Sequence, residues 1–472
     1  MGDEIGRTAF SPAEFTAFEA RLRAETALAC AGFEAGRFSD AGYTIGFELE
    51  AWLLDHGCHP HPVNERFLAA LGDPLVVPEL SRFNVEFNCT PQPLGDFALR
   101  RTEMEMAESW ARANVVAHGL DANMVMIGTL PTIRDADLTL DNISPLKRYH
   151  ALNQEVLRRR HGRPLRIVIE GKDRLATEHG DVMMEAATTS FQVHLKAPAS
   201  LANRCFNASI VASGPVLAAC GNAPFLFGRS LWEETRVPLF EQAVSLAGVR
   251  ADAARVTFGN GYLGSSMADW LVENRDAYPV LLPILFDEPP GQFRHLRLHN
   301  GTIWRWNRPL IGFETDGTPH VRIEHRILPA GPTFIDMLAN AALYLGLIGH
   351  FVARGIDGAD WMPFDAARAN FYAAARDGLA AHLAWPGHDG AAATLLRERM
   401  IPAAREGLAE FGVDPRDIAR YLGVIDDRVR TGQTGAAWQR ACLARCGGDP
   451  YELMAVYCER QRSAAPVHQW AL

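Results

Sequence analysis

The chain has 472 residues, 48% of them apolar and 22% charged, with a formal net charge of −10. That is enough apolar material for a large buried core, and it excludes an intrinsically disordered chain. Because the balance is acidic and no basic block occurs, a phosphate-tracking nucleic-acid surface is excluded as well, which leaves small molecules as the expected partners.

The first fifteen residues, MGDEIGRTAFSPAEF, carry neither a basic nor an apolar leader region, so the expectation is a mature start without a secretory signal. Ser11, Pro12 and Glu14 form a capping box with proline in the first turn, predicting a helix to about Cys30. Residues 43–54 read as a strand that carries Glu48 and Glu50 on one face, since alternate strand residues point the same way.

Residues 75–89 read as extended but broken near 81–83, with Glu86 and Asn88 repeating the two-residue spacing. Residues 93–120 read as a long amphipathic helix, 123–130 as a buried strand closed by Pro131, and 146–161 as a helix. Strands are expected at 165–170 and 188–196; the second places Gln192 and His194 on one face and Phe191, Val193 and Leu195 on the other.

Residues 201–220 form a small-residue helix suited to tight packing, and a strand over 320–328 follows the motif GTIWRWNRP. Pro332 opens a further helix. Its apolar run, 338–353, contains Asn340 and His350, is short for a bilayer, and reads as a core helix. From about Ala366 onward the pattern is helical. Strands with helices grouped between them indicate an α+β fold, expected as one catalytic domain over 1–360 with a helical region over 361–472 packed on it.

The eight cysteines are scattered, and Cys30, Cys205, Cys220 and Cys458 lie in apolar or helical surroundings, as free thiols do in a reducing cytoplasm. Cys442 and Cys446 are four apart without a second pair at zinc spacing.

The chemistry concentrates in acidic residues set inside otherwise apolar strands: Glu48, Glu50, Glu86 and Glu324, with Glu79 at a strand entrance and His194 beside them. Any one of these positions could simply face water. Taken together they point to cations, because repeated burial of unpaired carboxylates is costly. Oxygen ligands with a single imidazole suit Mg2+ or Mn2+.

The order of these motifs carries a resemblance. GFELE, then PELSRFNVEFN, then a histidine in a strand, then RIEHR, resembles the glutamate-cysteine ligases of the glutamine synthetase-like carboxylate-amine ligases. GNAPFLFGRS, FGNGYLGSS and TGQTGAAWQ are similar to segments of the bacterial branch, so the likeness covers about residues 43–438. GFELE differs from relatives with two adjacent acidic residues, and Arg82 follows Glu79 where other branches differ.

The resemblance implies a curved antiparallel sheet whose concave face binds ATP and two or three Mg2+ ions. It implies metal ligation by Glu48, Glu50, Glu79, Glu86, His194 and Glu324, with Arg326 meeting the transferred phosphoryl group and Glu324 sharing in catalysis. Arg305, Arg308, Asn222 and Gln192 are candidate contacts for substrate or ATP. The implied reaction joins glutamate to an amine, cysteine by default, through an acyl phosphate. A ligase for a different amine and a non-catalytic ATP-binding relative are the alternatives.

Two other readings are weaker. Residues 259–264 match G-x-G-x-x-G, but the acidic residue after them, Asp287, follows a run containing Pro279 and Pro283, which a central strand would not tolerate. CHPH at 58–61 has an internal proline and no partner cluster, so it reads as a loop. No nucleophile elbow and no Walker A sequence occurs.

Overall fold

The capping box opens the first helix, α1 (Pro12–Glu34): the Glu14 amide donates to Ser11 Oγ and the Ser11 amide to Glu14 Oε2. The computed structural model describes residues 4–246 and 254–472, so the first three residues of the N-terminal segment lie outside it. After α1 come β1 (Thr44–Leu54), α2 (Asn64–Leu71), β2 (Val76–Pro78), β3 (Asn84–Asn88), β4 (Gln92–Pro93), α3 (Ala98–His118) and β5 (Asn123–Val125).

Next are α4 (Lys147–Arg159), the hairpin β6 (Leu165–Glu170) and β7 (Arg174–His179), β8 (Phe191–Ala197) and α5 (Ala202–Cys220). A short hairpin of β9 (Phe225–Leu226) and β10 (Arg229–Ser230) leads to α6 (Arg236–Ala243), α7 (Ala268–Ala277), α8 (Arg294–Gly301), β11 (Asn307–Phe313), β12 (Pro319–His325) and α9 (Phe334–Ala353). The remainder holds α10 (Gly358–Trp361), α11 (Phe364–Asp377), β13 (His382–Trp385), β14 (His388–Ala391), α12 (Ala392–Leu395), α13 (Ile401–Glu410), α14 (Pro415–Thr431), α15 (Gly435–Arg445) and α16 (Pro450–Arg462).

Several elements differ from the sequence reading: β7 and the β9–β10 hairpin are additional, the strand expected over 188–196 begins at Phe191, and that expected over 320–328 ends at His325. The strand expected over 123–130 ends at Val125, because α16 takes over the next backbone groups. Gln461 Oε1 accepts from the Met126 amide, and Gln461 Nε2 and Tyr457 Oη donate to the Met126 carbonyl. GTIWRWNRP runs into a strand, β11, and the stretch expected to be wholly helical contains the hairpin β13–β14.

Eight strands form one curled, wholly antiparallel sheet in the order β11-β12-β8-β1-β3-β2, with β4 and β5 paired to the two ends of β1. In register, Glu50 faces Glu86, Glu48 faces Gln192, and His194 faces Glu324, which in turn faces Arg308. Directly paired residues share a face, so these side chains line one side of the sheet. The alternate residues Phe47, Leu49, Val193, Leu195, Val321 and Ile323 are buried on the other side, where α5 lies against β11 and β12.

Behind that layer α9 is enclosed by α3, α5, α13 and α14. Among the described residues it is the one helix long and apolar enough to cross a bilayer, yet 83% of its apolar window is buried in the protein, which makes it a core helix. The α9–α13 contact is backbone to backbone: a Cβ on Gly407 would sit 1.9 Å from the Gly346 carbonyl oxygen, and one on Gly346 would sit 2.3 Å from that of Ala404. Only glycine permits that approach. Arg428 of α14 is paired with Asp336 of α9 at 2.7 Å, both side chains buried, and also donates to Asn340 Oδ1.

Candidate active site

The polar face of the sheet is the floor of a cavity of about 290 Å³. Two groups of potential ligands lie on it. In the first, ligand atoms of Glu48, His194 and Glu324 all fall within 4.8 Å of one another; in the second, those of Glu50, Glu79 and Glu86 do the same. Strand alternation supplies five of the six, while Glu79 enters from the bend after β2, where the Leu80 amide donates to its Oε2. Glu50 is fixed by donors from the Ser190 amide (2.7 Å), Ser190 Oγ (2.9 Å) and Gln192 Nε2 (3.0 Å).

The two groups differ in how their charge is balanced. Burial raises the Glu324 carboxyl, but Arg308, Arg326 and His194 overcome it and hold the group at about 2. Glu48 is likewise pushed upward by burial, then drawn well below the ordinary carboxylate range by the adjacent His194. In the second group burial and mutual repulsion act together. Burial, then Glu48 and Glu50, push Glu86 up to about 7, and burial, Glu86, Glu50 and Glu185 push Glu79 well above its ordinary value.

Buried carboxylates crowded in this way repel one another, and a hard divalent cation is the partner that would relieve them. Orphaned atoms agree with that. His194 Nε2 lies 3.0 Å from Glu48 Oε1, yet neither buried ring nitrogen completes a hydrogen bond, and Glu79 Oε1 has no donor. Both donor sets, two carboxylates with one imidazole in the first and three carboxylates in the second, fit Mg2+ or Mn2+.

This arrangement sets the pH response of the metal-free protein. Glu86 titrates at about 7 and Glu185, raised by burial and then by Glu50, at about 8, both above the ordinary 4.5. The folded state therefore holds protons that the unfolded chain has released; the stability they contribute is full below the unfolded value and is lost as pH rises through the folded ones. Thermal melts in EDTA should show Tm falling between about pH 5.5 and about pH 8.5, with Mg2+ raising Tm more at the upper value. A Tm independent of pH over that window, or an equal Mg2+ effect at both ends, would remove the basis for a carboxylate cation site.

Arginines flank the floor. Arg308 grips Glu324 through Nε (2.8 Å) and Nη2 (2.7 Å). Arg326, one residue past the end of β12, is paired with the same carboxylate and donates to Gln192 Oε1 at 3.0 Å. Its guanidinium lies over the Phe240 ring, 5.9 Å from the centroid.

Two residues expected at the site lie elsewhere, which corrects the sequence reading. Arg305 is buried away from the cavity, paired with Glu273 at 2.8 Å and stacked on Tyr278, because it belongs to the turn before β11 rather than to the sheet face. Asn222 is a buried joint at the end of α5, donating to the Ala330 carbonyl (2.8 Å) and Tyr457 Oη (3.0 Å) and accepting from Gln439 Nε2 (2.8 Å).

The cavity also gathers residues that the sequence reading missed: Glu185, Arg322, Arg148 and Tyr149 of α4, and Arg294 and Arg297 of α8. Arg322 stands two residues before Glu324, so its face was available from strand period, and Glu185 is a lone acid in an apolar stretch. The helical arginines have no distinguishing local signal. Their place depends on how the helices pack over the sheet.

No curated protein sequence matches the chain. Among solved structures, the fold is similar to the glutamate-cysteine ligase of Francisella tularensis in complex with AMP, at TM-score 0.53 and 12% identity, covering 90% of this chain and 89% of that one. It is also similar to a bifunctional glutathione synthetase of Pasteurella multocida, at TM-score 0.50 and 11% identity, covering 90% of this chain and 52% of that one. The family model of glutamate-cysteine ligase family 2 matches residues 44–455, from the first residue of β1 into α16. The chain belongs to glutamate-cysteine ligase family 2, and is an ATP-dependent ligase of that type.

Proposed function

We propose that the protein joins the side-chain carboxylate of glutamate to the amino group of cysteine, forming γ-glutamylcysteine through an acyl phosphate, and so serves glutathione biosynthesis. The observation that carries this reading is one cavity floor on which two ligand triads adjoin an arginine pair anchored on Glu324. Glu48, His194 and Glu324 would hold one Mg2+, and Glu50, Glu79 and Glu86 a second, with a third ion or Mn2+ also compatible with so many carboxylates. Bound there, such ions supply neutralisation of phosphate charge.

ATP transfers its terminal phosphoryl group to the glutamate side chain, releasing ADP; the amine attacks the acyl phosphate, and phosphate leaves as the amide forms. Arg326 bears on the transferred group: Gln192 and Glu324 fix its guanidinium, so little rearrangement is needed when charge develops. Phe240, Leu282, Phe286 and Trp304 add an apolar wall to the same cavity. Residues 1–360 form the catalytic part in this reading, with 361–472 packed on it. All eight cysteines are unpaired, in keeping with a reducing cytoplasm.

The same aromatic wall favours a second reading in which the acceptor is a different amine, since it can receive an apolar side chain larger than that of cysteine. Incubation with Mg2+, ATP, glutamate and mixed amino acids, followed by mass spectrometry, separates these readings. A γ-glutamylcysteine product formed in step with ADP supports the first, and another γ-glutamyl amide the second. Tight ATP binding without any amide product would indicate a non-catalytic relative.

A further inference from the structure

The cavity floor continues past the Glu48–His194–Glu324 group. Arg322 of β12 pairs in register with Lys196 of β8 and Leu310 of β11, on the same face as Glu324. Alternate strand residues are about 7 Å apart, so Arg322 enters the cavity one step further from the Glu50–Glu79–Glu86 group. The surroundings there are basic, since Lys196, Arg297 and Arg322 all bear on His320.

The positive groups near Arg322 are already compensated or neutral. Lys196 donates to Glu314 Oε1 at 2.7 Å. His320 is depressed to about 4 by burial first; Glu314 raises it while Arg322, Lys196 and Arg297 lower it, so it is uncharged near neutrality. Arg308 and Arg326 share Glu324, and Arg297 lies 5.6 Å from the Phe313 ring centroid. Arg322 is different: among the described residues its side chain forms no hydrogen bond or ion pair and its buried Nε has no acceptor, while Glu48, the carboxylate it acts on at longer range, lies 3.0 Å from His194 Nε2. A guanidinium in a cavity with no anion in direct contact is unfavourable until one arrives.

We propose that Arg322 binds a carboxylate of an amino-acid substrate, either the α-carboxylate of the acid or the carboxylate of the acceptor. The inference rests on the ligase reading above: that reaction consumes one carboxylate and one amine, and each substrate keeps a carboxylate that needs a counter-charge. The planar guanidinium matches a carboxylate in bidentate fashion. ATP phosphate is assigned elsewhere, because both ligand triads lie on the far side of Glu324 from Arg322 or at Glu324 itself.

The test compares wild type with Arg322→Ala and Arg322→Lys under Mg2+ and ATP, using glutamate with cysteine and then with cysteamine, which lacks the carboxylate. Arg322→Ala is expected to raise one amino-acid KM by about 10- to 100-fold with little change in kcat, and Arg322→Lys to recover part of the loss. If the acid is bound, the glutamate KM rises and the cysteine-to-cysteamine preference persists. If the acceptor is bound, the cysteine KM rises and that preference disappears. Unchanged KM values for both substrates, or a rise confined to ATP, would overturn the proposal.

Should wild type make no product from glutamate, the ligase reading fails separately, and binding decides the role of Arg322. Thermal shifts are then measured with glutamate, cysteine and their carboxamide analogues. Acids that stabilise wild type but not Arg322→Ala, with the amides stabilising neither, support it; equal shifts in both proteins, or none in either, overturn it.

Discussion

Glu324→Gln should cut turnover by about 10²- to 10³-fold. The side chain is 1% exposed and accepts from Arg308 and Arg326, while its ligand atom lies with those of Glu48 and His194. Glutamine preserves the shape but removes the charge, which leaves two guanidiniums without their shared anion and Glu48 as the one carboxylate of its triad. Loss of one partner from a buried ion pair costs about 3–5 kcal/mol, so a lower Tm is expected as well. Initial rates of ADP release across a Mg2+ series, with melts monitored by circular dichroism, read the two effects apart. A rate within about twofold of wild type at every Mg2+ concentration would take Glu324 out of the reacting site.

For Arg326→Ala the expected loss is about 10³-fold in kcat, the range for removal of an arginine that meets a transferring phosphoryl group. Substrate KM values should change little, because the interaction strengthens as charge develops rather than when substrate binds. Arg326→Lys should recover only part of the rate, since an ammonium cannot reproduce the fork that spans Gln192 and Glu324. Steady-state kinetics decide the matter. An effect confined to KM would make Arg326 a ground-state binding residue.

The floor of the site was legible in the sequence because it is written in strand period. Glu48, Glu50, Glu86, His194 and Glu324 stand at alternating positions among apolar residues, and a two-residue repeat states which side chains share a face. Glu79 was legible through its motif. Arg322 obeyed the same repeat and was overlooked for want of a recognised motif.

The rest depended on contacts distant in sequence. Nothing local separates Arg297, which lines the cavity, from Arg305, which is sequestered by Glu273 and Tyr278, because the difference lies in the approach of α7 and α8. Asn222 sits in a family-like segment but serves the packing of α5 against α16. The end of β5 is likewise set by Gln461, over three hundred positions away in the chain.

The antiparallel register makes the site far more sensitive to a change of length than to a change of residue. On β1, β8 and β12 the polar residues of the cavity and the apolar residues of the core occupy alternate places in one short stretch. A substitution disturbs one side chain. Insertion or deletion of a single residue would exchange the two faces beyond that point, sending glutamates into the core and phenylalanines or valines into the cavity. A one-residue shift would thus dismantle the polar floor and the apolar core together, where a single substitution spares one of them.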